Sequence, residues 1–276
     1  MRSDLIASLL VHARRAREPL VVPDRAAVKT DAVAYRVQDK VYAKLWPGTL
    51  PAAWKVGAPS DKVEPAAAPI PPELMLASPA RAQAAALHLV GVEAEVAYRL
   101  SRDLPRRANP WSDEEIAAAV GEVVVTIELC GTRLANWKDA PAGWKLADFQ
   151  SNGALVIGTG TRDWRAIDWK RQEVEFRIGD RVSKAGRCAP VRRSVTAAAV
   201  ACETLRRARR RAEEGRPRHH RRMDGARAGE AGRRGGREVP RDRRSERLDP
   251  MTATTVHRRG AARCAFRCAR AVKLHR

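Results

Sequence analysis

The residue composition changes sharply near residue 185, and this change limits what the chain can fold into. Residues 1–185 contain 26 Lys and Arg against 23 Asp and Glu, whereas the remaining 91 residues contain 27 against 9. All seven Trp and all three Tyr precede residue 185, and the remainder contains one aromatic residue, Phe266. So few large apolar side chains cannot offset the conformational entropy of folding. We therefore predict a folded domain over residues 1–185 and a non-native or disordered tail over residues 186–276.

Several classes of protein do not fit this composition. No stretch approaches the roughly 20 apolar residues of a membrane-spanning helix, so no membrane partner is expected. The amino-terminal run LIASLLVHARRAR is compatible with a transit peptide or with an amphipathic first helix, and the spacing of Leu5, Leu9 and Leu10 favours the helix. Of the five cysteines only Cys130 precedes residue 185, which argues against a disulfide framework and favours a reducing, cytoplasmic setting.

Hydrophobic spacing in the first 185 residues predicts two helices followed by a mostly β region. Apolar residues recur at helical spacing over 3–20 and 31–46. Ser112 and Glu115 form a capping box that starts a further helix. Helices set apart from a β core indicate the α+β class. The predicted strands cover 53–57, 86–100, 123–129 and 153–160, and a Pro- and Ala-rich loop is predicted over 65–80.

Acidic residues at alternate positions are the first sign of chemistry. Glu93 and Glu95 project from the same face of a strand, about 7 Å apart along the chain, because side chains alternate with a period of two. Two carboxylates so close repel each other unless a cation or a proton lies between them. Glu128, near the end of VVVTIEL, is a candidate third ligand for Mg²⁺ or Mn²⁺. Taken alone, such a pair is more often a solvated strand face.

Five segments of the first 185 residues share the order of motifs of a known family. In chain order they are AYRVQ (34–38), WKVG (54–57), GVEAEVAYRLSRDLP (91–105), IELCGTR (127–133) and LADFQSNGALVIG (146–158). Together they resemble the 2-keto-4-pentenoate hydratase family, within the wider fumarylacetoacetate hydrolase-like group, over most of residues 1–185. The resemblance implies a mixed β roll with N-terminal helices and a homo-oligomer.

The resemblance also implies roles for individual residues. It makes the three glutamates ligands of Mg²⁺ or Mn²⁺ and places Lys55 in the active site, where it either moves a proton or binds the substrate carboxylate. Asp148 matches the Asp of an Ala-Asp-Asn element whose Asn is replaced here by Phe149. Arg133 either binds the substrate carboxylate or pairs with a surface acid. The candidate site residues are therefore Lys55 (catalytic), Asp148 and Arg133 (substrate-binding), and Glu93, Glu95 and Glu128 (metal).

Other residues receive simpler interpretations. Tyr35 and Gln38 lie on a predicted helix and are expected to make packing and capping contacts. His12 and His88 lack a partner at a suitable spacing, so neither is predicted to be a catalytic base. Four tryptophans are expected in the core or at an oligomer interface: Trp137, Trp144, Trp164 and Trp169.

The activity that the resemblance implies is a hydratase reaction in the breakdown of aromatic compounds. Water adds to a 2-hydroxy-2,4-dienoate and gives a 4-hydroxy-2-oxoacid, with a divalent ion stabilising the negative charge on the substrate. A decarboxylase or a C–C hydrolase on the same scaffold is the alternative within this group. A nucleic-acid-binding protein that acts through its basic tail is the alternative from another class, although a nucleic-acid partner is not our first expectation.

The tail has the composition expected of GC-rich DNA translated out of frame. It contains 26 Arg against one Lys, with abundant Ala and Gly. A shift of one nucleotide in HHRRMDG (219–225) permits Ile-Thr-Ala-Gly-Trp-Thr-Gly, which resembles a carboxy-terminal element of the same family. The same shift forces a stop codon at Met251-Thr252. We therefore predict that the reading frame is lost near residues 185–187, through a sequencing error or a true mutation, and that the domain is incomplete at its carboxy-terminal end.

Overall fold

The computed structural model describes the domain almost continuously and the tail in two short pieces. Its α-helices are α1 (Ser3–Ala16), α2 (Asp31–Leu45), α3 (Asp113–Ala119) and α4 (Ala142–Ala147). Its strands are β1 (Ala53–Gly57), β2 (Ala66–Ile70), β3 (Met75–Ala77), β4 (Leu89–Leu100), β5 (Val120–Gly131), β6 (Asn152–Thr161), β7 (Val174–Ile178), β8 (Arg181–Ala185), β9 (Met251–Thr254) and β10 (Ala271–Leu274). The described residues are 3–25, 27–57, 63, 65–82, 87–105, 107–109, 111–167, 174–178, 181–185, 251–254 and 271–274.

Seven strands form the main sheet, and a smaller sheet of three strands accompanies it. The order in the main sheet is β2-β1-β10-β4-β5-β6-β3, and the order in the smaller sheet is β8-β7-β9. The long strands β4, β5 and β6 run antiparallel to one another, while β10 pairs in parallel with β4 and β3 pairs in parallel with β6. Strands and helices are therefore segregated, and the predicted α+β fold is confirmed.

Helices α1 and α2 pack together and bury an apolar core on one side of the sheet. Ile6, Leu10 and Val37 are almost completely buried in this core. Both helices present apolar residues every three or four positions, which explains why their spacing predicts them correctly. The predicted boundaries were slightly long, because α1 ends at Ala16 and the next residue, Arg17, adopts a positive φ of 60°.

The prediction of a loop over residues 65–80 was wrong, because this segment contains β2 and β3. The sequence AAAPI has no alternation of polar and apolar residues, since four of the five residues of β2 are buried. As an edge strand, β2 accommodates Pro69 without losing a bond in the ladder. Tyr35 accepts a hydrogen bond from the Ala67 amide at 3.0 Å and Gln38 donates one to the Ala67 carbonyl at 3.3 Å. Helix α2 therefore satisfies the backbone amide and carbonyl of Ala67 on the edge strand β2.

The tail contributes two four-residue strands to the described structure. Strand β10 runs between β1 and β4, and β9 pairs with β7. The remaining residues of 186–276 lie outside the described residues, so the domain boundary and the shift of reading frame remain predictions. None of the helices in the described part of the chain has the length and apolar character that a membrane span requires.

Candidate metal centre

The pairing of β4 with β5 brings the predicted acidic residues together. Glu93 lies directly opposite Glu128 in the antiparallel ladder, and Glu95 lies opposite Thr126. Because side chains alternate along each strand, all four residues belong to one face of the two-stranded unit. Glu95 and Glu128 are only 3% and 1% exposed. The alternative of a solvated acidic face therefore does not describe Glu95 and Glu128. We call Glu93, Glu95 and Glu128 the acidic cluster.

Lys55 reaches the acidic cluster from β1. Its side chain is completely buried, and its Nζ donates a hydrogen bond to Oε1 of Glu128. Strands β1 and β5 are separated by two strands, a distance of roughly 14 Å in a flat sheet. Side chains that stand perpendicular to a flat sheet could not meet across this distance, so the sheet must curve around this face. The curvature agrees with the predicted β roll.

Cys130 is a member of the site that the sequence interpretation missed. The ligand atoms of Glu93, Glu128 and Cys130 all lie within 4.8 Å of one another. Cys130 follows Glu128 by two residues on β5, so the same period of two that relates Glu93 to Glu95 could have identified it. Glu95, predicted as a ligand, is not part of this close group and lies further along the same face.

The pKa of the Cys130 thiol depends on four charged residues of the site: Lys55, Glu93, Glu95 and Glu128. Burial raises the pKa of Cys130 far above its usual value, and the negative charge of Glu128 raises the pKa further. Lys55 acts in the opposite direction, and the charges of Glu93 and Glu95 add to the increase. The three glutamates and Lys55 therefore all lie close enough to Cys130 to act on its thiol.

This arrangement fits a divalent cation. Carboxylate oxygens are the ligands of Mg²⁺ and Mn²⁺, and excess negative charge in a poorly hydrated site is stabilised by a positive ion. Thr126 on the same face is completely buried, and its Oγ1 has no hydrogen-bond partner among the described residues. A polar atom of this kind indicates room for a further polar group, such as a ligand or a water molecule.

Asp148 and Arg133, which were predicted to bind substrate, bind each other in the interior. Oδ2 of Asp148 accepts hydrogen bonds from Thr132 Oγ1 and from the Arg133 amide, both at 2.9 Å, and Oδ1 accepts one from Arg133 Nε. The acid that Arg133 pairs with is 1% exposed, so the expectation of a surface acid was wrong. The guanidinium group also donates to the carbonyls of Asn152 at 2.9 Å and Asp148 at 2.7 Å.

Arg14 joins this group from α1. Its Nη2 donates to the carbonyl of Asn152 at 3.2 Å, and its guanidinium group lies 5.1 Å from the centre of the Trp46 ring. Burial and the nearby positive charge of Arg133 lower the pKa of Arg14, although a guanidinium group stays protonated at neutral pH. We call Arg14, Arg133, Asp148 and Asn152 the arginine network.

A left-handed turn connects Asp148 to β6 and links the two groups. Three successive residues, Phe149, Gln150 and Ser151, have φ values of 55°, 52° and 61°. Each such residue costs roughly 1–2 kcal/mol, so the surrounding contacts must hold the turn. Asn152 follows the turn and donates its Nδ2 to Oε1 of Glu128 at 3.3 Å. The Phe149 side chain is buried among the helices and packs edge-on against Trp46, with ring centres 6.1 Å apart.

The remaining predictions concern histidines and tryptophans. His12 is exposed on α1, and His88 lies at a positive φ of 42° immediately before β4. Neither His88 nor His12 is part of the metal-ligand group found among the described residues. Trp144 and Trp164 are buried core residues and Trp137 packs against the helical core, as expected. Trp169 lies outside the described residues.

Comparisons with known proteins bear on the fold of this site. No known family profile matches the chain. The chain is similar to the solved structure of 4-oxalocrotonate decarboxylase from Pseudomonas putida G7 complexed with calcium and acetate, with a TM-score of 0.61 and 16% identity over 74% of this chain and 81% of that chain. It is also similar to the magnesium and adipate complex of the same enzyme, with a TM-score of 0.60 and 17% identity over 75% and 83% of the two chains. The chain therefore shares the fold of this decarboxylase.

Proposed function

We propose that this chain is a divalent-metal-dependent lyase that acts on a small 2-oxo or 2-hydroxydienoic acid. The proposed reaction is the addition of water to a 2-hydroxy-2,4-dienoate to give a 4-hydroxy-2-oxoacid. The observation that carries the proposal is the close approach of the half-buried Glu93 to the buried Glu128, with the buried Lys55 side chain bound to the Glu128 carboxylate. The sequence resemblance to hydratases supports the choice of reaction.

The acidic cluster would hold Mg²⁺ or Mn²⁺. Glu93 and Glu128 are the nearest oxygen ligands to each other, and Glu95 is the proposed third ligand further along the face. When bound, the ion supplies Lewis-acid stabilisation for negative charge on the substrate oxygens. The structurally similar decarboxylase was solved in complex with calcium and in complex with magnesium, which supports the proposal that this site holds a divalent ion.

Lys55 is the proposed proton carrier. Its Nζ is fully buried and donates to Glu128, which keeps a proton beside the site and away from bulk water. Conversion of a dienol into a 2-oxoacid requires a proton at carbon, and a positioned ammonium group can deliver it. Binding of the substrate carboxylate remains the other proposed role of Lys55. Substrate contact by Asp148 and Arg133 also remains a proposal, since both act within the arginine network in this structure.

A decarboxylase is the second candidate function. The likeness to 4-oxalocrotonate decarboxylase favours it, although 16% identity supports a shared fold and leaves the reaction open. Hydration and decarboxylation of related acids both require stabilisation of negative charge next to a carboxylate, so one metal scaffold suits both. The two activities differ in their products, because only the decarboxylase releases CO₂.

The test is an assay of chelator-treated protein, with its reading frame restored after residue 185, in the presence and absence of added Mg²⁺ or Mn²⁺. With 2-hydroxypenta-2,4-dienoate, we expect metal-dependent loss of diene absorbance and no CO₂. With 4-oxalocrotonate, metal-dependent release of CO₂ would instead identify the decarboxylase. Lys55→Gln should abolish the activity, whereas Lys145→Gln, which alters an exposed lysine bound to the Lys138 carbonyl, should leave it unchanged. A folded protein that binds no divalent ion would contradict the proposal.

A further inference from the structure

We infer that the sulfur of Cys130 is an additional ligand atom of the metal centre, so that the site binds Zn²⁺ or Co²⁺ more tightly than Mg²⁺. This inference rests on the proposed function, because it concerns the metal preference of the same site. It adds the thiolate of Cys130 to the two closest carboxylates of the site, those of Glu93 and Glu128.

The geometry of β5 places the sulfur where it can share an ion with the carboxylates. Glu128 and Cys130 are two residues apart on one strand and Glu93 is the cross-strand partner of Glu128. Their ligand atoms lie within 4.8 Å of one another. Zinc bonds of about 2.3 Å to sulfur and about 2.0–2.2 Å to oxygen separate the ligand atoms by roughly 3.5 Å at a tetrahedral angle. Movements of about an ångström by these side chains are therefore sufficient.

The strand opposite Cys130 leaves space beside the thiol. Its partner on β4 is Gly91, and a Cβ built there would lie 3.9 Å from the Cβ of Cys130. Any larger side chain at this position would project from the same face as Glu93, because the two residues are two apart. Gly91 therefore leaves space beside Cys130. At the other end of this face, the buried Thr126 hydroxyl has no hydrogen-bond partner among the described residues.

The chemistry of sulfur decides which ions benefit. Mg²⁺ binds almost entirely through oxygen ligands, whereas thiolate ligands select Zn²⁺ and similar ions, and Co²⁺ and Zn²⁺ bind mixed sites more tightly than Mn²⁺. Binding through sulfur breaks the S–H bond, forms a metal–sulfur bond and releases one proton to solvent. The reaction involves no electron transfer, so it needs no oxidant or reductant.

The experiment is a spectroscopic titration of the full-length chain with Co²⁺. The four tail cysteines, Cys188, Cys202, Cys264 and Cys268, are first changed to Ser, so that only Cys130 can contribute a sulfur signal. We expect a near-ultraviolet sulfur-to-cobalt charge-transfer band in this protein and its loss on the further substitution Cys130→Ser. By calorimetry, Cys130→Ser should weaken Zn²⁺ binding at least about tenfold and change Mg²⁺ binding by less than about threefold.

The outcomes separate this inference from the proposed function. Binding of Mg²⁺ with a cobalt spectrum that lacks the sulfur band would overturn the role of Cys130 and leave the lyase proposal intact. Loss of all divalent-ion binding would overturn both. A band that persists after Cys130→Ser would also overturn the inference. Because the titration of the protein that retains Cys130 already gives a positive or negative result, the test does not depend on whether Cys130→Ser folds.

Discussion

The acidic cluster and the arginine network are both charged and largely buried, but they differ in the partners that their charged groups have. In the arginine network, three guanidinium nitrogens of Arg133 donate to Asp148 and to the backbone carbonyls of Asp148 and Asn152. In the acidic cluster, the charges that act on Cys130 are three carboxylates and one ammonium group. The network therefore matches its donors with acceptors, whereas the groups of the cluster that raise the pKa of Cys130 outnumber the one that lowers it.

This difference separates a structural ion pair from a binding site. A buried charge whose hydrogen bonds are all made within the chain stabilises one conformation and leaves little to bind a ligand. Carboxylates gathered at one point gain most when a cation enters between them. Asn152 belongs to the network through its carbonyl and contacts the cluster through its side chain. The network therefore positions the cluster.

The largest expected effect comes from Glu128→Gln. The amide keeps nearly the same shape but lacks the charge, so we expect loss of Mg²⁺ binding and a fall in activity of at least about 10²–10³-fold. Calorimetry and the diene assay measure the two effects. The matched control is Glu122→Gln on the same strand, where the carboxylate is partly exposed and paired with Arg99. Equal losses in both variants would contradict the assignment of the cluster.

The next effect is on stability and comes from Arg133→Met. Removing the guanidinium group leaves Asp148 buried without its partner, which should destabilise the fold by about 3–5 kcal/mol. Urea unfolding measures the change, and the second substitution Asp148→Leu should restore part of it. The control Arg99→Met breaks a partly exposed pair and should cost about 1 kcal/mol or less. A stable Arg133→Met variant with weakened substrate binding would instead support the predicted substrate role of Arg133.

The sequence pattern predicted the parts of the site that depend on one strand. Alternation along β4 placed Glu93 and Glu95 on one face, and the same rule applied to β5 would have added Cys130. The register that sets Glu93 opposite Glu128 depends on pairing between distant segments, so the sequence could name Glu128 as a candidate third ligand but could not derive its position opposite Glu93. The sequence AAAPI of β2 shows no alternation of polar and apolar residues, so this strand was not predicted.

The arginine network was largely hidden from sequence reasoning for a different reason. Arg14 and Arg133 both donate to the carbonyl of Asn152, and a backbone carbonyl is present at every residue. An arginine that binds a backbone carbonyl needs no particular residue type as its partner. The sequence therefore contains no signal for these two contacts. The left-handed turn that precedes Asn152 contains no glycine, so the usual signal of a positive φ was also absent.

A smaller effect is expected from Asn152→Ala, which tests the link between the two groups. The variant loses the 3.3 Å hydrogen bond to Glu128 but keeps the carbonyl that Arg14 and Arg133 bind. Residues that orient a ligand typically contribute about 10–100-fold to metal affinity, so we expect Mg²⁺ binding to weaken by this factor. Thr132→Ala, the control, removes a hydrogen bond to Asp148 and should reduce stability without changing Mg²⁺ affinity. If both variants weaken Mg²⁺ binding equally, the network and the cluster are one functional unit.

The smallest effect on stability is expected at a partly exposed ion pair, that of Glu115 with Arg107. Comparing it with the buried pair of Arg133 and Asp148 shows how burial changes the contribution of an ion pair to stability. The hydrogen bond from Arg107 and that from the Ser112 amide at 2.7 Å lower the pKa of Glu115 from 4.5 to about 2. Because the folded-state pKa is the lower one, the stabilisation is present above pH 4.5 and is lost as the pH falls toward 2. Thermal unfolding should thus separate the unmodified chain from Glu115→Gln at pH 7, with a difference smaller than that of Arg133→Met.

The salt dependence of this difference distinguishes the exposed pair from the buried ones. Solvent ions screen exposed charges, so raising the ionic strength should reduce the effect of Glu115→Gln. The effect of Arg133→Met should persist in the same salt, because Arg133 and Asp148 are 4% and 1% exposed and are screened far less. If the stability of Arg133→Met depended on salt and pH in the same way as that of Glu115→Gln, water would have to reach the arginine network. The arginine network and the acidic cluster would then differ in the sign of their charges but not in their shielding from water.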